Sequence, residues 1–169
     1  MDIVDFPPFY TIQPVHAARE NQLELWRKLI LKAVTASTLL VELSNCPAFS
    51  NPRINRSLSA EDRKSVAEYI ISCGNGAWED PASKQRLIVF SRTPEAWATA
   101  VYEWAKQTVR VGMGISTFYE IHSGEDAEGT ELFGMDEDIL MRALKVLERQ
   151  GKVQLFPKDT VDEMGVKFI

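Results

Sequence analysis

The sequence predicts an α+β chain of two tandem domains, each a three-helix cluster closed by a β-hairpin. Three observations predict it. Helical periodicity gives way to a short β-rich run in both halves. Gly74 and Gly151 each close a helix that leads into a hairpin, a degenerate repeat of about half the chain. Thr93-Pro94-Glu95, an N-cap with proline at N1 and an acid in the first turn, opens the second set of elements. A chain of 169 residues allows one ordinary domain or two small ones, and 45% hydrophobic with 25% charged residues suits a packed core. The expected boundaries are an arm over 1–16, a first domain over 17–92 and a second over 93–169.

The arm comes first. Phe6-Pro7-Pro8-Phe9-Tyr10 and then Pro14 place three prolines and three aromatics ahead of any helical periodicity. Proline fixes φ and disfavours helix before it, so this stretch is expected to be extended and polyproline-like. Its rings must lie across the chain's own domain or across a partner. From about Ala17, Leu23, Trp26, Leu29, Ile30, Ala33 and Val34 recur at helical steps. Thr38 to Leu43 reads as a strand, followed by a loop from Ser44 to Pro52. Ser59 is an N-cap with Asp62 three residues on, and Val66, Tyr69, Ile70 and Cys73 form the buried face of the helix that follows. Ala77-Trp78-Glu79 and Arg86 to Phe90 flank a turn at Asp80-Pro81, giving the first hairpin.

The second half follows the same outline. Trp97, Val101, Trp104, Ala105 and Thr108 line one helix, which Gly112 to Gly114 breaks. Ile115 to Ile121 leads into a short second helix, and an acidic, glycine-bearing loop runs from Ser123 to Glu131. Asp136 caps a third helix, with Met135 and Leu140 spaced for a hydrophobic staple and Ile139, Leu140, Ala143, Leu144 and Leu147 facing inward. Val153 to Phe156 and Gly165 to Ile169 make the second hairpin. The whole is the winged-helix arrangement, taken twice and joined near Ser91 to Pro94.

Charge restricts function. The net charge is −5 and the pI about 5.1, which repels a phosphate backbone unless cations cluster on one face. The helix before each wing is where this fold meets DNA. Ser59 to Cys73 and Asp136 to Gln150 each net −1, so nucleic acid is not an expected partner. No metal ligands or cofactor motif are expected. Cys46 and Cys73 have no metal-type or disulfide spacing, and His16 and His122 read as surface or capping residues without ligand-spaced carboxylates. Gly112-Met113-Gly114 lacks the preceding strand and the lysine of a phosphate loop. No nucleophile context appears, so no enzymatic activity is expected. The N-terminus shows no signal-peptide pattern and no apolar run reaches membrane-spanning length, which points to a reduced, cytoplasmic chain.

FPPFYTIQP, RTPEAW, TFYEIHSGEDAEGTELFGMDEDILMRALKVLERQGKVQLF and the ending GVKFI occur in this order. Together they resemble the smallest subunit of the endosomal sorting complex ESCRT-II, over nearly the whole chain and most specifically from Phe118 to Leu147. One departure is that only five residues, two of them acidic, precede Phe6. The resemblance implies two tandem winged-helix domains in a non-enzymatic adaptor, present in two copies per complex. Such an adaptor sorts ubiquitinated membrane proteins into multivesicular bodies and reaches the endosome membrane as part of its complex. It implies docking to the other two ESCRT-II subunits through the arm, hence Phe6, Pro7, Pro8, Phe9 and Tyr10, with Phe9→Ala expected to weaken assembly while leaving the chain folded. It also implies that the C-terminal domain holds a basic N-terminal helix of an ESCRT-III subunit. The expected matching surface is the acidic loop with Glu125, Asp126, Glu128 and Glu131, beside an apolar anchor of Val166 and Phe168. Two alternatives stand beside this reading: a winged-helix transcription factor, and a WW-domain ligand through Pro7-Pro8-Phe9-Tyr10, which matches the PPxY pattern.

Overall fold

A computed structural model describes residues 2–34 and 38–169; residue 1 of the expected arm lies outside this range. The chain divides into two compact units, Met1–Ser91 and Arg92–Ile169.

In the first unit, helix α1 (His16–Lys32) turns Leu23, Trp26 and Ile30 inward. Strand β1 (Thr38–Glu42) follows. Two 3-10 turns (Leu43–Asn45 and Pro47–Phe49) and a minimal hairpin of β2 (Ser50–Asn51) and β3 (Arg56–Ser57) then lead to α2 (Ala60–Ser72). The stretch from Ser44 to Pro52 expected to be a loop is therefore ordered and buries Phe49, and Leu43, expected to end the strand, instead begins a 3-10 turn and is buried. Among the described residues this unit has two α-helices rather than the three expected. Pro47 and Pro52 interrupt the segment where a third would lie, because each removes a backbone donor. Ser59 caps α2 by accepting from the Asp62 amide at 3.1 Å. Strands β4 (Gly76–Trp78) and β5 (Arg86–Phe90) complete an antiparallel sheet in the order β1-β5-β4. Trp26, Phe49, Val66, Ile70, Leu87 and Val89 fill the space between sheet and helices.

The second unit repeats the plan with α3 (Pro94–Gln107), β6 (Ser116–Thr117), α4 (Phe118–Ser123), α5 (Glu137–Arg149), β7 (Val153–Phe156) and β8 (Gly165–Phe168). Its sheet runs β6-β8-β7, the order found in the first unit: the last strand lies between the first and the middle one. Asp136 caps α5 through the Asp138 and Ile139 amides. Gly74 and Gly151 both take positive φ (83° and 72°). Each is followed by an amide that reaches back five residues, Asn75 to the Ile70 carbonyl (3.1 Å) and Lys152 to the Leu147 carbonyl (2.9 Å). This left-handed cap reverses the chain into a hairpin in both units, which is the physical content of the repeat.

Val166 and Phe168 are fully buried, so the expectation that they form an accessible apolar anchor is corrected. They are the inward positions of β8, alternating with exposed Lys167, and Phe168 packs edge-on against Trp104 at 6.4 Å. Among the described residues, no helix is long and apolar enough to cross a membrane.

Candidate functional site

The arm folds onto its own unit. It is not the extended polyproline segment expected but two consecutive 3-10 turns, Ile3–Asp5 and Pro7–Tyr10. Proline at the first position of a turn keeps a favourable φ and loses no bond that the turn needs, so Pro7-Pro8 permits this compaction. Phe9 stacks on Trp26 with centroids 4.2 Å apart and planes 4° from parallel, and Tyr10 meets the same indole edge-on at 5.5 Å. Phe49 closes the cage at 5.8 Å.

Polar groups also hold the arm. The Gln22 amide donates to the carbonyls of Phe9 (3.0 Å) and Thr11 (2.8 Å), and its oxygen accepts from the Gln13 amide at 3.0 Å. Trp26 Nε1 donates to the Phe9 carbonyl, and Asn51 Nδ2 donates to the Val4 carbonyl at 2.7 Å. The Tyr10 hydroxyl also donates to the Val4 carbonyl, and burial raises its pKa. Phe9 and Tyr10 are 2% and 4% exposed, whereas Phe6 is 46% exposed and Pro7 and Pro8 face solvent. The five residues proposed for docking thus split into two buried anchors and three outward ones. Sequence reasoning missed Gln22, Asn51 and Phe49. One signal was available for Gln22, which lies one helical turn before Trp26 on the same face.

Elsewhere on α1, Glu24 accepts two bonds from the Arg27 guanidinium (2.6 and 2.9 Å) and one from the Tyr69 hydroxyl (2.9 Å). Bonding to Arg27 above all holds its carboxyl at about 2. Tyr69 moves the other way, raised first by burial and then by its bond to Glu24. This cluster ties α1 to α2.

In the second unit the acidic loop is pinned. After α4 the chain makes a 3-10 turn at Glu125–Ala127, with Ala127 buried. Arg110 reaches Asp126 Oδ2 (2.6 Å), Glu120 Oε2 (2.7 Å) and Ser116 Oγ (2.7 Å), and Trp104 Nε1 donates to the Asp126 carbonyl at 3.0 Å. Arg92 pairs with Glu131, raising its own pKa and lowering that of the carboxylate, while its guanidinium lies 4.4 Å over the Trp97 ring. Asp126 and Glu131 are therefore engaged within the unit. Glu125 and Glu128 are exposed and form no ion pair among the described residues.

Two α+β units of matching strand order define a tandem winged-helix protein. Among solved structures the chain is similar to subunit VPS25 of the endosomal trafficking complex ESCRT-II, with a TM-score of 0.75 at 20% identity over 100% of this chain and 98% of that one. It is also similar to a chain in the crystal structure of the endosomal complex ESCRT-II (VPS22/VPS25/VPS36), with a TM-score of 0.73 at 22% identity. A family model described as ESCRT-II complex subunit matches residues 3–136. Vacuolar protein sorting-associated protein 25 of Arabidopsis thaliana is 40% identical over 167 residues, covering 97% of this chain and 92% of that protein. The human protein of that name is 34% identical over 167 residues, with 96% and 93% covered. The chain belongs to the ESCRT-II complex subunit family.

Proposed function

We propose that this chain is a non-enzymatic adaptor subunit of ESCRT-II, present in two copies per complex. It acts in multivesicular body sorting of ubiquitinated membrane proteins, and the complex brings it from the cytoplasm to the endosome membrane. Its arm docks to the other two subunits, and its C-terminal unit recruits an ESCRT-III subunit. The observation that carries the first contact is the arm's architecture. Phe9, Tyr10, Gln22 and Trp26 hold Phe6-Pro7-Pro8 in one conformation at the surface, so little ordering cost remains when these three residues enter a partner pocket. A groove lined by Ile3, Val4, Leu25 and Leu29 and rimmed by Lys28 and Lys32 continues this surface onto α1. For the second contact, Glu125 and Glu128 are the carboxylates left available to a basic helix, and such charges chiefly raise the on-rate.

The WW-ligand alternative requires an accessible Tyr10, which here is buried with its hydroxyl bonded to Val4. The nucleic-acid alternative is opposed by the helix before each wing: the spans from Ser59 to Cys73 and from Asp136 to Gln150, caps included, each net −1. The deciding experiment is co-purification of the two larger ESCRT-II subunits with a Phe6→Ala, Pro7→Ala, Pro8→Ala variant. Loss of both partners from a chain with unchanged circular dichroism supports arm docking. Undiminished recovery refutes it.

A further inference from the structure

By sequence spacing His122 has no ligand-spaced carboxylate and reads as a surface or capping residue. The fold corrects this: His122 is 8% exposed, and α4, α5 and the β7–β8 loop converge on it. Its Nε2 lies 3.0 Å from Asp162 Oδ1, its Nδ1 lies 2.6 Å from Ser123 Oγ, and Glu137 begins α5 beside it. One ligand atom from each of His122, Glu137 and Asp162 falls within 4.8 Å of the other two.

We propose that these three side chains bind a divalent transition-metal ion, with zinc the best fit. An imidazole with two carboxylates is a zinc donor set, whereas magnesium and calcium favour all-oxygen sites. Metal–ligand distances near 2.0–2.1 Å put tetrahedral ligands about 3.4 Å apart. The His122–Asp162 pair is already that close, and exposed Glu137 needs only a rotamer adjustment to close the remainder. Water completes the fourth position. In the loaded site Nδ1–H donates to the Ser123 hydroxyl, which fixes the tautomer that turns the Nε2 lone pair toward the ion.

Pre-organisation and charge both support the assignment. Phe118 and Tyr119 meet the imidazole edge-on at 5.4 and 5.7 Å, which restrains the ring. The Tyr119 amide donates to the Asp162 carbonyl at 3.2 Å, and the Phe118 amide donates to the Met164 carbonyl at 2.9 Å, so the loop carrying Asp162 is held against α4. Glu137 and Asp162 bring two carboxylates to one imidazole. Among the described residues neither carboxylate has a lysine or arginine within ion-pair distance. The positive end of α5 at Glu137 opposes the cation, which lowers the affinity below that of a closed four-ligand site. A bound ion would cross-link α4, α5 and the β7–β8 loop of the second unit.

The test uses the full chain with zinc chloride as the probe, followed by isothermal titration. One saturable site is expected, weakened at least about tenfold by Glu137→Gln and by Asp162→Asn, substitutions at exposed positions where circular dichroism verifies folding. Cobalt in place of zinc should give ligand-field bands without thiolate charge transfer, since Cys46 and Cys73 are not ligands. The proposal is overturned by no saturable uptake at submillimolar zinc, by unchanged affinity in both variants, by a cobalt–thiolate band, or by equally tight magnesium binding.

Discussion

Truncating Phe9 should destabilise the first unit whether or not a partner is present. Its ring is 2% exposed and stacked face to face on Trp26, and its carbonyl receives Gln22 and Trp26. Removing a buried phenyl costs about 3–5 kcal/mol, and the aromatic pair adds about 0.5–1.5 kcal/mol beyond burial. The arm is terminal and can relax into the cavity, so the low end, about 3 kcal/mol, applies to Phe9→Ala. A unit of this size loses about 4–8 °C in Tm per kcal/mol, so its transition should fall by at least ~12 °C. Phe9→Ala is therefore expected to lower stability as well as assembly. Phe6→Ala, at a position half open to solvent, should change stability by no more than about 0.5 kcal/mol. Thermal unfolding followed by tryptophan fluorescence and circular dichroism compares the two variants. A fall below ~5 °C for Phe9→Ala, or equal effects of the two substitutions, would refute the reasoning that the arm is part of the core.

Gln22→Leu keeps the volume but removes one donor from each of the Phe9 and Thr11 carbonyls and takes the acceptor from the Gln13 backbone amide, and should cost about 1–3 kcal/mol in urea unfolding. The Glu24 carboxyl lies at about 2 in the folded chain against an ordinary 4.5, so its stabilisation is fully present above pH 4.5 and is lost as pH falls toward 2. Glu24→Gln should flatten that acid limb in a pH series of unfolding curves, and an unchanged limb would exclude the Glu24–Arg27–Tyr69 cluster as its source. Val109 holds φ of 57° at the end of α3 while 68% exposed, so Val109→Gly relieves left-handed strain without losing packing, and Tm should rise, by up to about 1 kcal/mol of stability. Glu125→Lys with Glu128→Lys should weaken capture of a basic ESCRT-III helix peptide at low salt and leave Tm unchanged. Adding Asp126→Lys should lower Tm, because it sets a lysine against Arg110.

Capping and chain reversal were legible because their causes are local. Ser59, Thr93 and Asp136 each satisfy amides two or three residues away, and Gly74 and Gly151 take a backbone conformation that a neighbouring sequence position can announce. The inward stripe of α5 and the strand Arg86–Phe90 follow from periodicity in the same way. The alternation of Val166, Lys167 and Phe168 carried the same kind of signal, and it marked the two apolar side chains as interior rather than as an anchor for a partner. The arm's fate was of another kind. Phe9 and Trp26 are 17 residues apart, so whether Phe9 stacks on this indole or enters another protein depends on which cavity exists once α1, α2 and Phe49 have packed. Arg110 neutralising Asp126, and His122 meeting Asp162 across 40 residues, are likewise products of the assembled unit. Short-range hydrogen bonding and periodicity can be read along the chain, whereas burial and charge pairing belong to distances that exist only after the chain has closed on itself.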